Sequence, residues 1–298
     1  MNKNPVFIIL GILTGFNVLA WIAVFQLNDN ELLEVNFFDV GQGDAIFIET
    51  PQNQQILIDG GPTSIILEKL GEEMPFWDRT IDLIILTHPE KDHLAGLLEV
   101  LKRYQVENIL WTGVVRDTAE YQEWQRLIKE EGAKIYIAHA GQQIRGGPTS
   151  ANSARRSGLS VLYPFESLEG QKVKDSNNTS IIARLVFGEN SFLFTGDAPQ
   201  SIEKKILEMA VDSDVLKAGH HGSKNSSAED FVKAVSPEIA VISVGKDNKY
   251  GHPHQETLAV LERYDIRILR TDINGDIKIL CNSQFLKLKS EDSIKNSI

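Results

Sequence analysis

Apolar and polar residues are patterned along most of the chain as strands that alternate with helices. Short runs rich in Val, Ile, Leu and Phe end at Gly, Asp, Asn or Pro, which is typical of strands. Strands are predicted at 33–39, 45–50, 55–59, 83–87, 108–111, 134–137, 160–163, 181–187, 191–195, 215–218, 240–243 and 266–270. Helices, in which apolar residues recur three or four positions apart, are predicted at 94–104, 120–131, 200–209, 228–235 and 255–264. With a closing hairpin at 275–280 and 285–289, this pattern predicts an α/β fold.

Residues 1–30 carry a different pattern. Pro5–Leu27 is an uncharged apolar run, long enough to cross the hydrocarbon core of a bilayer as a helix. Lys3 precedes this run and acidic residues follow it, which favours an amino terminus in the cytoplasm. We therefore predict a single-pass protein of the cell membrane with an anchor at 1–30, an extracytoplasmic domain at 31–290 and a polar tail at 291–298. The alternatives are a cleaved signal peptide and a buried core helix.

Composition narrows the class of protein. A chain of 298 residues with 42% hydrophobic content can bury a sizeable core. The formal net charge of −11 argues against a broadly cationic surface for nucleic acid, although bound metal ions would supply local positive charge. A basic segment at 145–158 is an exception, and a solvated surface loop would explain it equally well. The single cysteine, Cys281, cannot form an intramolecular disulfide and is typical of a small core residue.

The segment His88-Pro89-Glu90-Lys91-Asp92-His93 follows a strand-like run and places four potential metal ligands in one turn. Imidazole and carboxylate groups crowded this closely are usually held together by a divalent cation. A solvated charged turn would explain any one of these residues alone. Three other strand-like runs also end in such groups, at Asp59, at Asp197 and at His220 with His221. Because α/β folds gather ligand-binding groups at the carboxyl ends of strands, the four turns together predict a metal site.

Motifs rich in glycine, histidine and carboxylates recur along the chain, in the order Asp39-Val40-Gly41-Gln42-Gly43-Asp44-Ala45, Leu57-Ile58-Asp59-Gly60-Gly61, Thr87-His88-Pro89-Glu90-Lys91-Asp92-His93, Asn177-Asn178-Thr179-Ser180, Thr195-Gly196-Asp197, His220-His221-Gly222-Ser223 and Gly251-His252-Pro253-His254. In this order they resemble the metallo-β-lactamase superfamily, and more narrowly the carboxy-terminal domain of ComEC-type competence proteins. The resemblance implies a four-layer αββα sandwich with a metal site along one edge of two packed sheets.

The resemblance also implies a ligand set for two divalent metal ions, with Asp197 as the bridging carboxylate. The implied ligands are His88, Glu90, Asp92, His93, Asp197, and His220 or His221. Glu90 stands where many members have histidine, and Asn177 and Asn178 stand where most have another histidine. Because carboxylate oxygens then dominate the set, we expect Mn²⁺ to support activity at least as well as Zn²⁺.

The chemistry expected of such a site is metal-assisted hydrolysis, in which the ions acidify water and polarise the attacked oxygen. Asp92 would also orient the water, and His221, Lys217 and His252 are further catalytic candidates by position. The resemblance favours a phosphodiesterase or nuclease that acts on DNA during uptake. Two alternatives stay open: a hydrolase of another phosphodiester or ester, such as a lipid headgroup or cell-wall polymer, and a noncatalytic membrane-anchored binding protein. The sequence indicates no protein partner.

Overall fold

Two mixed β-sheets pack face to face in the computed structural model, which describes residues 5–27, 32–145, 157–282 and 284–289. The first sheet contains β1 (Leu33–Phe37), β2 (Ile46–Glu49), β3 (Gln55–Ile58), β4 (Thr80–Leu86), β5 (Gln105–Trp111), β6 (Lys134–Ile137), β14 (Ile277–Cys281) and β15 (Leu286–Lys289). The second contains β7 (Gln143–Arg145), β8 (Ser157–Tyr163), β9 (Ile182–Phe187), β10 (Asn190–Phe194), β11 (Val215–Lys217), β12 (Ile239–Ile242) and β13 (Arg267–Arg270). In space the strands run β15-β14-β1-β2-β3-β4-β5-β6 and β13-β12-β11-β10-β9-β8-β7.

Helices cover the outer face of each sheet. The first sheet is covered by α2 (Ile65–Glu73), α3 (Lys91–Leu101) and α4 (Ala119–Glu131), and the second by α5 (Gln200–Glu203), α6 (Glu229–Val235) and α7 (Gln255–Arg263). Leu97 and Trp124 are fully buried against the first sheet, and Phe231 is buried against the second. The short helix α8 (Thr271–Asn274) follows β13. The resulting order of helix, sheet, sheet, helix confirms the predicted two-sheet α/β fold.

The central core lies between the two sheets. Phe37 of the first sheet meets Phe194 of the second with ring centroids 6.2 Å apart, and Phe192 stacks beside Phe194. All three rings are at most 2% exposed. Burying one such side chain stabilises the fold by about 1.5–3 kcal/mol, so this apolar layer fixes how the two sheets align.

Parallel pairing brings the carboxyl ends of several strands to one edge of the sandwich. β3 pairs in parallel with β4, and β10 with β11 and β11 with β12. Helix α3 approaches this edge closely because Gly60 and Gly96 lack side chains, and a Cβ on Gly96 would overlap the carbonyl oxygen of Gly60. The Gly60 amide donates to the His93 carbonyl oxygen at 2.8 Å, so the first turn of α3 is held against the end of β3.

Some elements differ from the sequence prediction. Helix α2 and strand β7 are absent from that prediction, because α2 is short and interrupted by Gly71 and β7 has only three residues. The helix predicted at 200–209 ends early: α5 stops at Glu203, and a 3₁₀ turn at Lys204–Ile206 follows, with Ile206 packed into the core. Most of the basic segment at 145–158 and the tail at 291–298 lie outside the described residues.

The predicted amino-terminal helix forms as α1 (Pro5–Leu27). Its apolar residues Phe7, Leu13 and Phe16 are 74%, 62% and 69% exposed. Among the residues whose side chains the structure describes, no helix has both the length and the apolar character that a membrane crossing requires. The structure therefore supports the helix at this position but does not support the transmembrane segment expected within 1–30.

Candidate metal centre

The turn between β4 and α3 carries the densest set of candidate ligands. Thr87 and His88 follow β4, Glu90 is the residue before α3, and Asp92 and His93 lie in the first turn of the helix. The exposed amide groups of a helix amino terminus favour negative charge, so Asp92 is well placed there. Helix α3 thereby presents Asp92 and His93 to the edge where the strands end.

Asp59 fixes the orientation of His93 from the end of β3. Its carboxylate is fully buried and accepts hydrogen bonds from the Thr87 amide at 2.8 Å and the Thr87 hydroxyl at 2.7 Å. The same carboxylate lies 2.8 Å from Nδ1 of His93, and this contact places the Nδ1 proton between them. Asp59 itself has a left-handed backbone with φ of 58°, a strained conformation that is common at functional sites. A carboxylate on Nδ1 leaves Nε2 of His93 available as a ligand.

The loop after β11 turns its two histidines in different directions. His220 and His221 both have left-handed backbones, with φ of 48° and 54°. His221 is buried, and its Nδ1 lies 2.9 Å from the Ser243 carbonyl oxygen at the end of β12. The side chain of His220 is 28% exposed, so it lies at the rim. His221 is therefore the deeply placed ligand candidate of the pair.

Asp197, which follows β10, is the carboxylate on which these imidazoles converge. The distances from its Oδ2 to the Nε2 atoms are 3.4 Å for His93, 3.5 Å for His221, 3.7 Å for His220 and 4.0 Å for His88. The Nε2 atoms of His88, His93 and His221 are buried without a hydrogen-bond partner among the described residues, as is Oδ1 of Asp197. Buried polar atoms are rarely left unpaired, so their convergence on one point fits a bound cation.

Asp92 completes a four-residue set with an opening to solvent. Its Oδ2 lies 3.5 Å from Nε2 of His221, and its side chain is 33% exposed. One ligand atom from each of Asp92, His93, Asp197 and His221 lies within 4.8 Å of every other. Two nitrogens and two carboxylates at this spacing suit a divalent transition metal. His88 and His220 add imidazole nitrogens beside the same Asp197 oxygen and would serve a second ion.

The electrostatics of this set also suit cations. Burial lowers the pKa of His221, but Asp197 and Asp44 raise it more strongly, to about 10. The pKa of His93 is likewise raised well above its ordinary value because Asp197 and Asp59 outweigh burial. The pKa of Asp197 is held well below its usual range because His221 and His93 outweigh burial. By contrast, burial and His93 lower the pKa of His88 to about 3, which keeps its ring neutral. Protons thus compete for positions that a metal ion would fill.

A family model described as the metallo-β-lactamase superfamily matches residues 38–246, a stretch that carries all of these candidate ligands. The chain belongs to the metallo-β-lactamase superfamily. The two-sheet fold and the edge on which the ligands meet agree with this membership, and they confirm the resemblance inferred from the sequence motifs.

Relatives of this superfamily member include competence proteins. ComE operon protein 3 of Bacillus subtilis (strain 168) is 34% identical over 265 residues, which cover 82% of this chain and 32% of that protein. Recombination protein 2 of Haemophilus influenzae is 27% identical over 265 residues, which cover 87% of this chain and 30% of that protein. Competence protein ComA of Neisseria gonorrhoeae is 29% identical over 248 residues, with coverages of 82% and 32%. The chain thus spans about a third of the length of these relatives.

The fold of this chain also resembles those of solved structures. Igni18, a metallo hydrolase from Ignicoccus hospitalis, superposes with a TM-score of 0.51 at 15% identity, covering 83% of this chain and 98% of that one. CmlA, a diiron β-hydroxylase from Streptomyces venezuelae, gives a TM-score of 0.50 at 16% identity, covering 84% of this chain and 54% of that one. At these identities the likeness concerns the metallo-β-lactamase fold alone.

Glu90, one of the ligands expected for this superfamily member, lies outside the four-residue set. The structure does not bring its carboxylate into the cluster, because Oε1 accepts a hydrogen bond from Nη2 of Arg116 at 2.7 Å and another from the Ser176 hydroxyl. This pairing ties the start of α3 to the segments after β5 and before β9. The oxygen-rich argument for Mn²⁺ therefore loses one of its carboxylates.

Lys217 was a catalytic candidate by its position in the sequence. Its side chain is 1% exposed, and its ammonium is ion-paired with Asp44. The same ammonium donates to the Gly196 carbonyl oxygen at 3.0 Å and lies 3.9 Å from Oδ1 of Asp197. Lys217 therefore balances the charge of two buried carboxylates next to the cluster, and a direct catalytic role for it stays a prediction.

His252 lies at the rim, next to His220. Their ring centroids are 5.6 Å apart, and burial together with His221 lowers the pKa of His252 to about 4. A catalytic role for this neutral imidazole stays a prediction. Asn177, one of the two asparagines at the expected histidine position, directs Nδ2 to within 3.4 Å of Nε2 of His220.

Sequence reasoning missed the residues that support the ligands. Asp44 is buried and lies 3.3 Å from Nδ1 of His221, and Ser243 supplies the carbonyl oxygen for the same nitrogen. Asp44 stands in a quoted motif, directly after Gly43, where a side chain would overlap the Asp92 carbonyl oxygen. That glycine was a usable signal of close packing. Ser243 contributes only its backbone carbonyl oxygen, so its residue type gives no indication of this role.

Proposed function

We propose that this metallo-β-lactamase superfamily member is a divalent-metal-dependent phosphodiesterase that acts on DNA. The observation that supports it best is the convergence on Asp197 of three buried Nε2 atoms that have no hydrogen-bond partner among the described residues, beside the partly exposed Asp92. This arrangement offers a cation deep anchoring and leaves one side accessible to a substrate.

The ligands of the proposed site divide into anchors and an open edge. Asp197, His93 and His221 are buried anchors, and Asp92 closes the set towards solvent. Bound divalent ions lower the pKa of water and polarise phosphoryl oxygens, which is the chemistry this site requires. The pKa of Asp92 is lowered below its ordinary value because the nearby imidazoles of His221 and His93 outweigh burial, so its carboxylate is ionised at neutral pH. Asp92 can then accept a proton from an attacking water molecule.

The choice of DNA rests on relatives and on charge. Two of the relatives are named as a recombination protein and a competence protein, and the proposal of a DNA substrate is drawn from those names. The net charge of −11 would repel a polyanion elsewhere on the surface. A cation-loaded centre would therefore concentrate phosphate binding at this edge of the sandwich.

A cleavage assay tests the proposal. The purified protein is incubated with single-stranded DNA, double-stranded DNA and bis-p-nitrophenyl phosphate in the presence of Mn²⁺ or Zn²⁺. We expect DNA cleavage that Asp92→Ala abolishes and that Asp212→Ala, which removes an exposed carboxylate outside the cluster, leaves intact. Cleavage of the small ester alone would indicate a different phosphodiester or ester substrate. A metal-loaded protein that cleaves neither would indicate a binding protein and contradict the proposal.

The choice of metal is a second part of the proposal. With Glu90 paired to Arg116, the four-residue set still holds two carboxylates, and Asp44 and Asp59 add negative charge close by. We therefore expect Mn²⁺ to restore activity after chelation at least as well as Zn²⁺. Restoration by Zn²⁺ alone would refute this choice.

We also propose that α1 anchors the protein in the cell membrane with the catalytic domain outside the cytoplasm. The uncharged apolar run Pro5–Leu27 supports this proposal. The apolar side chains described within it, such as Phe7, Leu13 and Phe16, are exposed. In cells, the protein should stay in the membrane fraction after alkaline carbonate washing, and added protease should reach the domain in spheroplasts. Release by carbonate, or protection from protease, would contradict the anchor or its orientation.

A further inference from the structure

The rim of the metal centre is a continuous row of side chains with His220 in the middle. On one side, Nδ2 of Asn177 lies 3.4 Å from Nε2 of His220. On the other side, the rings of His220 and His252 have centroids 5.6 Å apart, and the His252 ring lies 5.8 Å from that of Tyr250 at an interplanar angle of 22°. The row therefore leads from the 176–179 turn, past the centre, to the loop before α7.

Tyr250 forms an aromatic platform at one end of this row. Its side chain is 55% exposed, and stacking against His252 supports the ring. Nζ of Lys249 lies 5.4 Å from the ring centroid. An exposed aromatic ring with a lysine beside it offers a stacking surface for a base and a cation for a phosphate.

A cavity of about 650 Å³ lies at the other end of the row. It is lined by residues that include Tyr163, Lys174 and Asn178, the residue after Asn177. The Tyr163 hydroxyl donates to the Asn178 carbonyl oxygen at 2.8 Å, which holds these two lining residues together. A cavity of this size accommodates a nucleoside, whose sugar and base need polar and apolar contacts together.

The charges at both ends suit a phosphate backbone. Lys174 and Lys249 are exposed, as are Lys172 and Lys246 beside them in the sequence. Within the described residues, none of these four lysines forms an ion pair with an acidic side chain. The carboxylate of Asp175, next to Lys174, accepts a hydrogen bond from the backbone amide of Asn177 at 3.1 Å. The chain as a whole has a net charge of −11. Lysines without an acidic partner among the described residues, at both ends of the row, therefore supply local positive charge that would attract phosphate groups.

We propose that one strand of nucleic acid binds across the metal centre, with a nucleoside in the cavity beside Tyr163 and a base of the same strand stacked on Tyr250. The inference rests on the proposed function and specifies its substrate as single-stranded. A base can stack on a protein ring only when it is released from its own duplex, so double-stranded DNA would not fill these positions. Tyr250 and Lys174 are specificity residues in this arrangement, and neither is a ligand candidate.

Binding of a fluorescently labelled phosphorothioate oligothymidylate, whose linkages resist hydrolysis, measured by anisotropy with Mn²⁺ present, tests the arrangement. We expect Tyr250→Ala to raise Kd about tenfold and Tyr250→Phe to keep most of the affinity, since stacking needs the ring and not the hydroxyl. Tyr136→Ala is the matched control, because Tyr136 is a similarly exposed tyrosine on β6, outside the row, and should leave Kd unchanged. Lys174→Ala and Lys249→Ala should each reduce the slope of log K against log salt concentration by about 0.7, as expected for one lost phosphate contact.

The possible outcomes separate this inference from the proposed function. Circular dichroism spectra identical to that of the wild type establish that each variant is folded. Equal Kd values for wild type and Tyr250→Ala, or tighter binding of duplex than of single strands, would overturn the inference even if DNA is cleaved. Oligothymidylate binding that depends on Tyr250, in a protein that cleaves no ester with any metal, would support the inference and contradict the catalytic proposal.

Discussion

Asp59 offers a test of how the centre is supported, because its carboxylate touches the candidate ligand His93 but lies outside the four-residue set. In Asp59→Asn the shape is kept and the negative charge is lost. The Thr87 amide can still donate to the remaining oxygen, whereas Nδ1 of His93 loses its charged partner at 2.8 Å. The imidazole then becomes a weaker ligand and is less firmly oriented.

The expected magnitude follows from the contacts. Removal of a group that orients a ligand histidine typically weakens metal binding ten- to hundred-fold, which is about 1.4–2.7 kcal/mol. The Mn²⁺ and Zn²⁺ affinities of wild type and Asp59→Asn should be measured by competition with a chromophoric chelator at pH 7. Asp82→Asn is the matched control, since Asp82 also accepts a backbone amide, from Gln55 at 2.7 Å, but lies outside the cluster.

An unchanged metal affinity in a folded Asp59→Asn protein would refute the reasoning that Asp59 acts through His93. An equal loss in Asp82→Asn would show that the effect comes from general destabilisation of the sheet. Urea unfolding of the metal-free proteins distinguishes these cases, because the proposed effect requires metal and a folding defect does not.

Three further predictions concern protons, packing and stability. Because the pKa values of His93 and His221 are raised, the latter to about 10, these rings carry protons at pH 7 that a metal ion must displace. Titration calorimetry in buffers of different ionisation enthalpy should therefore show proton release and a metal affinity that rises with pH. An absence of proton release would contradict the ligand assignment. Gly96→Ala should destabilise the protein and weaken its metal binding, because a Cβ would overlap the backbone of Gly60. Gly71→Ala, at an open site in α2, should stabilise the protein by about 1 kcal/mol. Equal unfolding midpoints for the two variants would contradict the packing argument. Burial raises the pKa of Glu203 from 4.5 to about 7, despite hydrogen bonds from the Ser227 and Ala228 backbone amides, so the folded protein loses stability as pH rises through that window. In urea unfolding, the free energy of unfolding of Glu203→Gln should increase relative to that of the wild type by up to about 3 kcal/mol between pH 5 and pH 8. A difference between the two proteins that is independent of pH would refute this.

The sequence predicted the strand ends well because a local signal marks each of them. Asp197 and His221 each lie three or four residues after a short apolar run, so their positions at one edge of the sheets could be inferred without coordinates. His93 could be placed in the same way, from the turn that begins α3.

The partners of these groups could not be inferred, because they come from distant parts of the chain. Glu90 is paired with Arg116 and Ser176, 26 and 86 residues away, and no local pattern indicates this. Lys217 occupies a strand position from which either face was possible, and only the packing of Asp44 against it decides that it is buried. Burial and pairing of charges therefore separate the ligand candidates from the residues that only resemble them.

The position of the bound metal tests the assignment most directly. Anomalous scattering from crystals of the protein grown with Mn²⁺ should give a peak about 2.0–2.3 Å from Nε2 of His93 and His221 and from carboxylate oxygens of Asp92 and Asp197. A peak bound to Glu90, or the absence of any peak among these four residues, would contradict it.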